Sequence, residues 1–165
     1  MAATIEINKG ELLGEIVARL EAEIKKLRES FEEAKLTSIE APGRMQSRYD
    51  TMGVEAAWVA DGLAKSLEER VEGVYRLKNI RLPEDPEKVS LGCVVGIGPE
   101  DGGVENLYFI LPACGGISVT VESGVLIQTV MPQAPVARAL IGKSLDDEVT
   151  VRRDRKEPDT IQYLA

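Results

Sequence analysis

The sequence of 165 residues lacks histidine, and it contains only two cysteines, Cys93 and Cys114. Zinc sites are built mostly from histidine and from closely spaced cysteine pairs. The two thiols lie far apart along the chain and no histidine accompanies them, so no zinc site is expected. Free cysteine is among the most buried residue types, and both thiols are predicted to be structural.

Aromatic residues are also few, with two Phe, one Trp and four Tyr. A single tryptophan does not make a platform for stacked bases, so Trp58 is interpreted as a packing residue. The formal net charge of -8 argues in the same direction. Proteins that bind free nucleic acid usually present a basic face that neutralises phosphates. Direct binding of nucleic acid is therefore not expected.

Long apolar runs are missing as well. The longest uncharged run, from Asn106 to Val121, is interrupted by Pro112 and by Gly115-Gly116. A membrane-spanning helix needs about 20 consecutive apolar residues, and no signal-peptide pattern is found at the N-terminus. The sequence predicts a cytoplasmic protein with no membrane partner.

The first half of the chain shows apolar residues at alternating steps of four and three, typical of a coiled coil. In the first segment these residues are Leu13, Val17, Leu20, Ile24, Leu27, Phe31 and Ala34, and in the second they are Ala57, Ala60, Ala64, Leu67, Val71 and Val74. Ala41-Pro42-Gly43 ends the first segment. Two such helices joined by a short loop pair antiparallel. We expect an antiparallel coiled-coil hairpin over residues 1–82, with residues 41–50 at its tip.

The pattern changes after the linker Leu82–Pro86, which contains two prolines and two acids. Short β-type runs follow, separated by glycine-rich turns. These runs are Val89–Ile97, Val104–Leu111, Ile117–Val121, Val125–Val130, Glu148–Arg153 and Thr160–Leu164. One short helix is predicted among them, and the sheet is expected to be antiparallel. Residues 83–165 are therefore interpreted as a small β-domain, and the fold class as α+β.

Two glycine motifs resemble nucleotide-binding loops, but the secondary structure predicted around them differs from that of such loops. Gly96-Ile97-Gly98 follows an apolar run, but Pro99 comes next and no helix N-terminus is available for a pyrophosphate, so a hairpin turn is predicted. Gly142-Lys143-Ser144 is interpreted as the end of a helix, with a C-terminal glycine and a lysine that complements the helix dipole.

The segment Met131–Val151 carries the most specific signal. Its sequence is MPQAPVARALIGKSLDDEVTV. Pro132 and Pro135 set a turn before a short helix, and Gly142-Lys143 ends that helix. Asp146-Asp147-Glu148-Val149 then opens a strand. This arrangement resembles the closing segment of the Gre family, the bacterial transcript-cleavage factors that enter RNA polymerase through its secondary channel.

The resemblance implies an N-terminal antiparallel coiled coil that threads the channel and an FKBP-like C-terminal β-domain that docks on the polymerase. The residues expected to bind the polymerase on this basis are Pro132, Pro135, Arg138, Gly142 and Lys143, together with Arg44 and Arg48 near the tip. Nascent RNA and DNA are expected to be contacted only through the polymerase.

The resemblance also implies acids at the hairpin tip that act catalytically in trans. In the family the tip carries Asp-x-x-Glu, and the nearest match here is Asp50 and Glu55, five positions apart. Such acids can hold a Mg²⁺ shared with the polymerase centre, so no cofactor of the chain's own is expected. Alternatively, Asp50 is a helix N-cap and Glu55 a first-turn acid that interacts with the helix dipole.

The functional expectation is a monomeric transcription elongation factor, not an enzyme, that modulates or stimulates cleavage of backtracked RNA. Two alternatives remain open: a coiled-coil interaction protein or chaperone, and a Gre-like polymerase inhibitor without cleavage stimulation. Prolyl isomerisation, which the FKBP-like domain raises, is not expected because the second half offers only Tyr108, Phe109 and Tyr163 as aromatics.

Overall fold

A computed structural model describes residues 5–40 and 50–165 of the chain, including all of their side chains except those of residues 40 and 50–52. The helices are α1 (Lys9–Glu40), α2 (Asp50–Lys78) and α3 (Pro135–Leu140). The strands are β1 (Val94–Gly98), β2 (Asn106–Ile110), β3 (Ser118–Thr120), β4 (Leu126–Val130), β5 (Glu148–Val149) and β6 (Asp159–Leu164). The predicted α+β class, a helical hairpin followed by a β-domain with one short helix, is confirmed.

The described chain forms two compact units. The hairpin unit is Ala18–Tyr75, and the sheet unit combines Arg76–Ala165 with the described residues up to Val17. The division into domains 1–82 and 83–165 stays a prediction. No helix in the two described ranges is both long enough and apolar enough to cross a membrane.

The hairpin unit is held together by an apolar seam between α1 and α2. Leu20 and Ile24 of α1 are buried, as are Ala60 and Val74 of α2. Small residues such as Ala60 allow the two helix backbones to approach closely, while charged residues cover the outer faces. The sequence pattern therefore located part of the seam, but Val71, which it also placed there, is 41% exposed. Trp58 is an exception, because its side chain is 69% exposed and does not pack as predicted.

The N-terminal part of α1 belongs to the sheet unit. The Asn8 side chain accepts a hydrogen bond from the Glu11 backbone N–H at 3.2 Å, which caps the helix start. Leu12 and Ile16 are buried, and Ile16 is fully so. The Lys9 ammonium donates to the Pro83 carbonyl oxygen, and burial lowers the pKa of Lys9, against the opposing effects of Cys93 and Glu84.

The six strands form one sheet with the order β3-β4-β2-β1-β6-β5. All neighbours are antiparallel except β2 and β4, which pair parallel from Leu107↔Ile127 to Ile110↔Val130. The expectation of a wholly antiparallel sheet is wrong at this one pair. The reason is that the chain passes from β2 to the edge strand β3 before β4 returns between them. The β1–β6 pairing contains an irregularity between Gly96 and Ile97.

One face of the sheet forms a core with α3. This core consists of buried residues from the strands, from α3 and from the segment before β1: Val89, Cys93, Val95, Ile97, Tyr108, Ile110, Val130, Ala137, Leu140, Val149 and Ile161. Cys93 is buried here, as the sequence predicted, whereas Cys114 is only partly buried. The core fixes α3 on the sheet and thereby positions the segment that carried the most specific sequence signal.

Candidate functional site

Helix α3 is built as the sequence predicts. Pro135 occupies its first turn, and Ala134 before it is extended with φ -62° and ψ 142°, the conformation that a residue before proline prefers. Ala137 and Leu140 are buried. Gly142 has φ +85°, a left-handed conformation that glycine adopts without strain and that ends the helix. The Gly142-Lys143-Ser144 motif is thus a helix end, as predicted.

Two backbone hydrogen bonds fasten the end of α3 to the segment before β1. The Val89 N–H donates to the Lys143 carbonyl at 2.8 Å, and the Gly142 N–H donates to the Val89 carbonyl at 2.9 Å. Val89 itself is buried in the core. This reciprocal pair fixes the direction in which the helix end points, so the side chains around it are held on a rigid support.

The aspartates that follow α3 shape a turn. The Asp147 carboxylate accepts a hydrogen bond from the Ser144 N–H at 2.7 Å. Asp146 has φ +68°, and its N–H donates to the Ile161 carbonyl at 2.8 Å, while the Ile161 N–H donates to the Asp147 carbonyl at 3.0 Å. The acidic pair of the motif therefore connects the α3 segment to β6, which is a structural role.

The outer side of this segment combines cations with apolar groups. Arg138, Lys143 and Pro135 are exposed, and Ile141 and Leu145 are 41% and 49% exposed. We call these five residues the α3 surface. The helix carries no acid in its first turn and one arginine in its last. In a chain of net charge -8, the α3 surface places two cations beside apolar groups, and the exposed acids Asp146 and Glu148 follow it in sequence.

The predicted partner-binding residues are thus partly brought together. Pro135, Arg138 and Lys143 lie on the α3 surface, Gly142 ends the helix, and Pro132 is half-buried in the turn before it. Arg44 and Arg48 lie outside the described residues. That these residues contact the polymerase stays a prediction.

The tip acids occupy one continuous helix. Asp50 is the first residue of α2, and Glu55 is exposed. In an α-helix, positions five apart point about 140° away from each other around the axis. The side chain of Asp50 lies outside what the structure describes, so the role of the two acids stays a prediction. Among the described residues, no group of three or more potential metal-ligating side chains lies together.

A second charged cluster was not predicted from the sequence. Arg155 donates to the Glu105 carboxylate at 2.5 Å and to the Asp159 carboxylate at 3.0 Å. Arg152 lies 3.5 Å from Glu105. Asp159 is only 3% exposed, and a buried carboxylate requires such pairing. The arginine-rich run at residues 152–155 was the available signal, but its partner is 50 positions away in sequence.

Two tyrosines in the sheet unit have perturbed ionisation. Burial raises the pKa of Tyr108, with Arg152 lowering it and Asp159 raising it. Burial also raises the pKa of Tyr163, against a hydrogen bond with the Ile7 backbone that lowers it. Both tyrosines are part of the packed interior and its border, so they contribute to stability more directly than to recognition.

No family model and no curated protein matches the chain. Solved structures that resemble it include GreA factor homolog 1 (Gfh1) of Thermus thermophilus, with 15% identity, coverage of 90% of this chain and 94% of that one, and a TM-score of 0.35. Thermus aquaticus Gfh1 has 19% identity, coverage of 89% and 92%, and a TM-score of 0.35.

A further structure, described as the transcription factor Gfh1, has 16% identity, coverage of 98% of this chain and 97% of that one, and a TM-score of 0.35. Similarity at these identities and TM-scores carries no argument about function.

Proposed function

We propose that the protein is a Gre-like transcription factor that binds bacterial RNA polymerase in the cytoplasm and modulates the cleavage of backtracked RNA. One observation carries the proposal. The Gre-like segment Met131–Val151 folds into a turn, a short helix and a strand, and Val89 holds the end of that helix by two backbone hydrogen bonds. A segment held in this way can present a fixed surface to a partner.

The α3 surface supplies the docking chemistry. Arg138 and Lys143 are exposed cations, and Ile141 and Leu145 add apolar area beside them. Exposed apolar groups at the centre of a contact supply affinity, while charges around them favour an oppositely charged partner and raise the association rate. The partner surface on the polymerase is accordingly expected to be acidic with an apolar centre.

Polymerase binding is tested with a charge-reversed α3 surface. We expect Arg138→Glu with Lys143→Glu to weaken binding to core RNA polymerase by at least about tenfold, because two attractive contacts become repulsive. Biolayer interferometry with immobilised core enzyme measures the change. The matched control is Arg153→Glu with Lys156→Glu, which makes the same charge change at exposed positions of the sheet unit.

The outcomes of this experiment separate the alternatives. Equal binding by the two double variants would remove the α3 surface as the docking site. No binding by the wild-type protein would favour a coiled-coil interaction protein or chaperone over a polymerase factor.

The hairpin tip is proposed to act on the polymerase centre. A Mg²⁺ ion held there can activate water for phosphodiester hydrolysis, and Asp50 and Glu55 are the residues that would contribute ligands. The polymerase would provide the remaining ligands. The spacing of the two acids, five positions where the family has three, favours a second form of the function, in which the hairpin occupies the channel and inhibits without stimulating cleavage.

Transcript cleavage by stalled, backtracked complexes distinguishes these two forms. If the acids stimulate cleavage, Asp50→Asn with Glu55→Gln should lower the cleavage rate steeply while leaving polymerase affinity unchanged. Glu69→Gln is the control, since this exposed acid lies on α2 about 21 Å from Glu55. Wild-type protein that binds polymerase yet gives no cleavage at any Mg²⁺ concentration would establish the inhibitory form.

A further inference from the structure

The two faces of the helical hairpin differ in how they are closed. On one face, the Arg70 guanidinium and the Glu23 carboxylate form an ion pair at 2.9 Å that crosses from α2 to α1. Lys26 and Ser30 line the same face. On this side the ion pair bridges the two helices beside the half-buried Leu27.

The other face contains an open apolar groove of about 610 Å³. Phe31, Leu67 and Ala64 line it and are half-buried. Val71 and Tyr75 also line it, and they remain 41% and 69% exposed. Exposed apolar side chains grouped in a groove are more typical of an interaction surface than of a solvated helix face.

The charges at the groove margins differ between the two helices. Arg28 lies on the α1 side, whereas Glu68 and Glu72 lie on the α2 side. The Glu23–Arg70 ion pair sets the register of the helices. Arg28 lies five residues after Glu23 in α1. Because the helices run antiparallel, it is roughly level with a position of α2 that lies one helical turn before Glu68. Arg28 and Glu68 are therefore displaced by about 5 Å along the axis.

This charge pattern is self-complementary for one arrangement of two copies. A two-fold axis parallel to the helices lays α1 of one copy over α2 of the other without changing height along the groove. Arg28 of each copy then lies across from Glu68 of the other, about 5 Å away along the axis, and the symmetry forms this pair twice. A two-fold axis across the groove would instead stack α1 on α1 in opposite directions, and with the axis at the height of Arg28 it would bring the two arginines together.

We propose that this groove is a self-association surface, in which a second copy of the hairpin docks with its helices in the same direction and Arg28 of one copy pairs with Glu68 of the other. The groove spans about three helical turns, or roughly 16 Å, which is short for a standard protein interface. The dimer is therefore weak and forms only at high protein concentration, whereas the dilute protein is the monomer expected from the sequence.

Sedimentation velocity across a range of concentrations tests the proposal with two complementary charge reversals. Arg28→Glu alone places Glu against Glu68, and Glu68→Arg alone places Arg against Arg28. Each variant is expected to dimerise at least about tenfold more weakly than wild type, since two attractive pairs become repulsive. An equimolar mixture of the two variants should restore dimerisation, because each mixed pair is again of opposite charge.

Folding is monitored separately by far-UV circular dichroism of each variant in the dilute, monomeric state. Val71→Glu provides a third variant that places a charge in the groove itself and should prevent dimerisation. The proposal is overturned if wild-type protein stays monomeric up to about 1 mM. It is also overturned if the mixture of charge-reversed variants forms no heterodimer, the result expected when the groove serves a helix of another protein.

Discussion

Glycine is needed at different positions of this chain for different physical reasons. Replacing glycine by alanine at three sites distinguishes these reasons. Gly142 needs its positive φ, but a Cβ there would meet nothing within 4 Å. At Gly96 a Cβ would lie 2.8 Å from the Tyr163 Cβ and 2.8 Å from a Val104 methyl group. Gly14 lies in α1 with open space around it. Only the first two sites require glycine.

We expect Gly142→Ala to lower the free energy of unfolding by about 1–2 kcal/mol through backbone strain, and Gly96→Ala by about 1–3 kcal/mol through overpacking. Gly14→Ala should raise it by about 0.5–1 kcal/mol, because alanine is the better helix former. Urea unfolding of the full chain measures all three. Equal effects at the three positions would contradict this assignment.

Tyrosine ionisation gives a second prediction at the scale of single residues. Burial raises the pKa of Tyr108 above its usual value of 10.0 in the folded state. The folded chain then holds this proton more tightly than the unfolded chain does. The contribution of the protonated Tyr108 to stability is complete below pH 10 and is lost as the pH rises through the pKa of this tyrosine in the folded state. Stability should therefore decrease above about pH 10.

Tyr108→Phe should flatten this decrease without abolishing it, because the pKa of Tyr163 is also raised by burial. The double variant with Tyr163→Phe should show the flattest profile. Thermal unfolding at pH values from 8 to 11 provides the measurement. A double variant that retains the full wild-type decrease would assign the alkaline loss of stability to other groups.

At the scale of elements, the agreement between sequence and structure is closest where the signal is local. The period of the apolar residues located α1 and α2, and Pro135 and Gly142 bounded α3. The pairing of β2 with β4 was not predicted, because strand direction within a sheet depends on which segments meet in space. The same holds for the Glu105–Arg155 pair, whose members are 50 positions apart.

In the candidate site, too, local features could be predicted from the sequence and long-range contacts could not. The fold of Pro132–Lys143 could be predicted because turns and helix ends have local chemistry, whereas its attachment to Val89 could not. The spacing of Asp50 and Glu55 was visible in the sequence. Both residues belong to α2, and the role of the two acids stays a prediction.

The hairpin seam yields a prediction at this scale, based on two leucines of α1 that the periodicity treats alike. Leu20 is fully buried, whereas Leu27 is only half-buried. Leu20→Ala should lower the free energy of unfolding by about 2–5 kcal/mol, the usual range for a buried leucine. Leu27→Ala should cost clearly less. Thermal unfolding followed by circular dichroism at 222 nm compares the two, and similar losses would mean that α1 is rotated from the orientation described.

At the scale of the whole molecule, the linker in the sequence and the boundary of the sheet unit do not coincide. The sheet unit includes Leu12 and Ile16 from the start of α1 and Leu77 from the end of α2, and all three are buried. Composition marks a change of secondary structure at residue 82, but it does not show which helical residues belong to the same compact unit as the sheet.

We therefore expect a fragment of residues 83–165 to be much less stable than the same residues in the full chain, because it lacks these three apolar side chains. Burial of each leucine or isoleucine contributes about 1.5–3 kcal/mol. Amide hydrogen exchange compares the protection of β1 and β6 in the two contexts. Equal protection would show that the β-domain needs no residues from the helices.

The central strand β1 pairs with β2 on one side and with β6 on the other. Because synthesis proceeds from the N-terminus, β2 is available to β1 soon after it is made, whereas β6 begins only at Asp159. Until then one edge of β1 is unpaired. Because β1 is apolar, this open edge is prone to non-native pairing. The sheet unit can complete its folding only after Leu164 has emerged from the ribosome, so this half of the protein is expected to fold after translation of these residues.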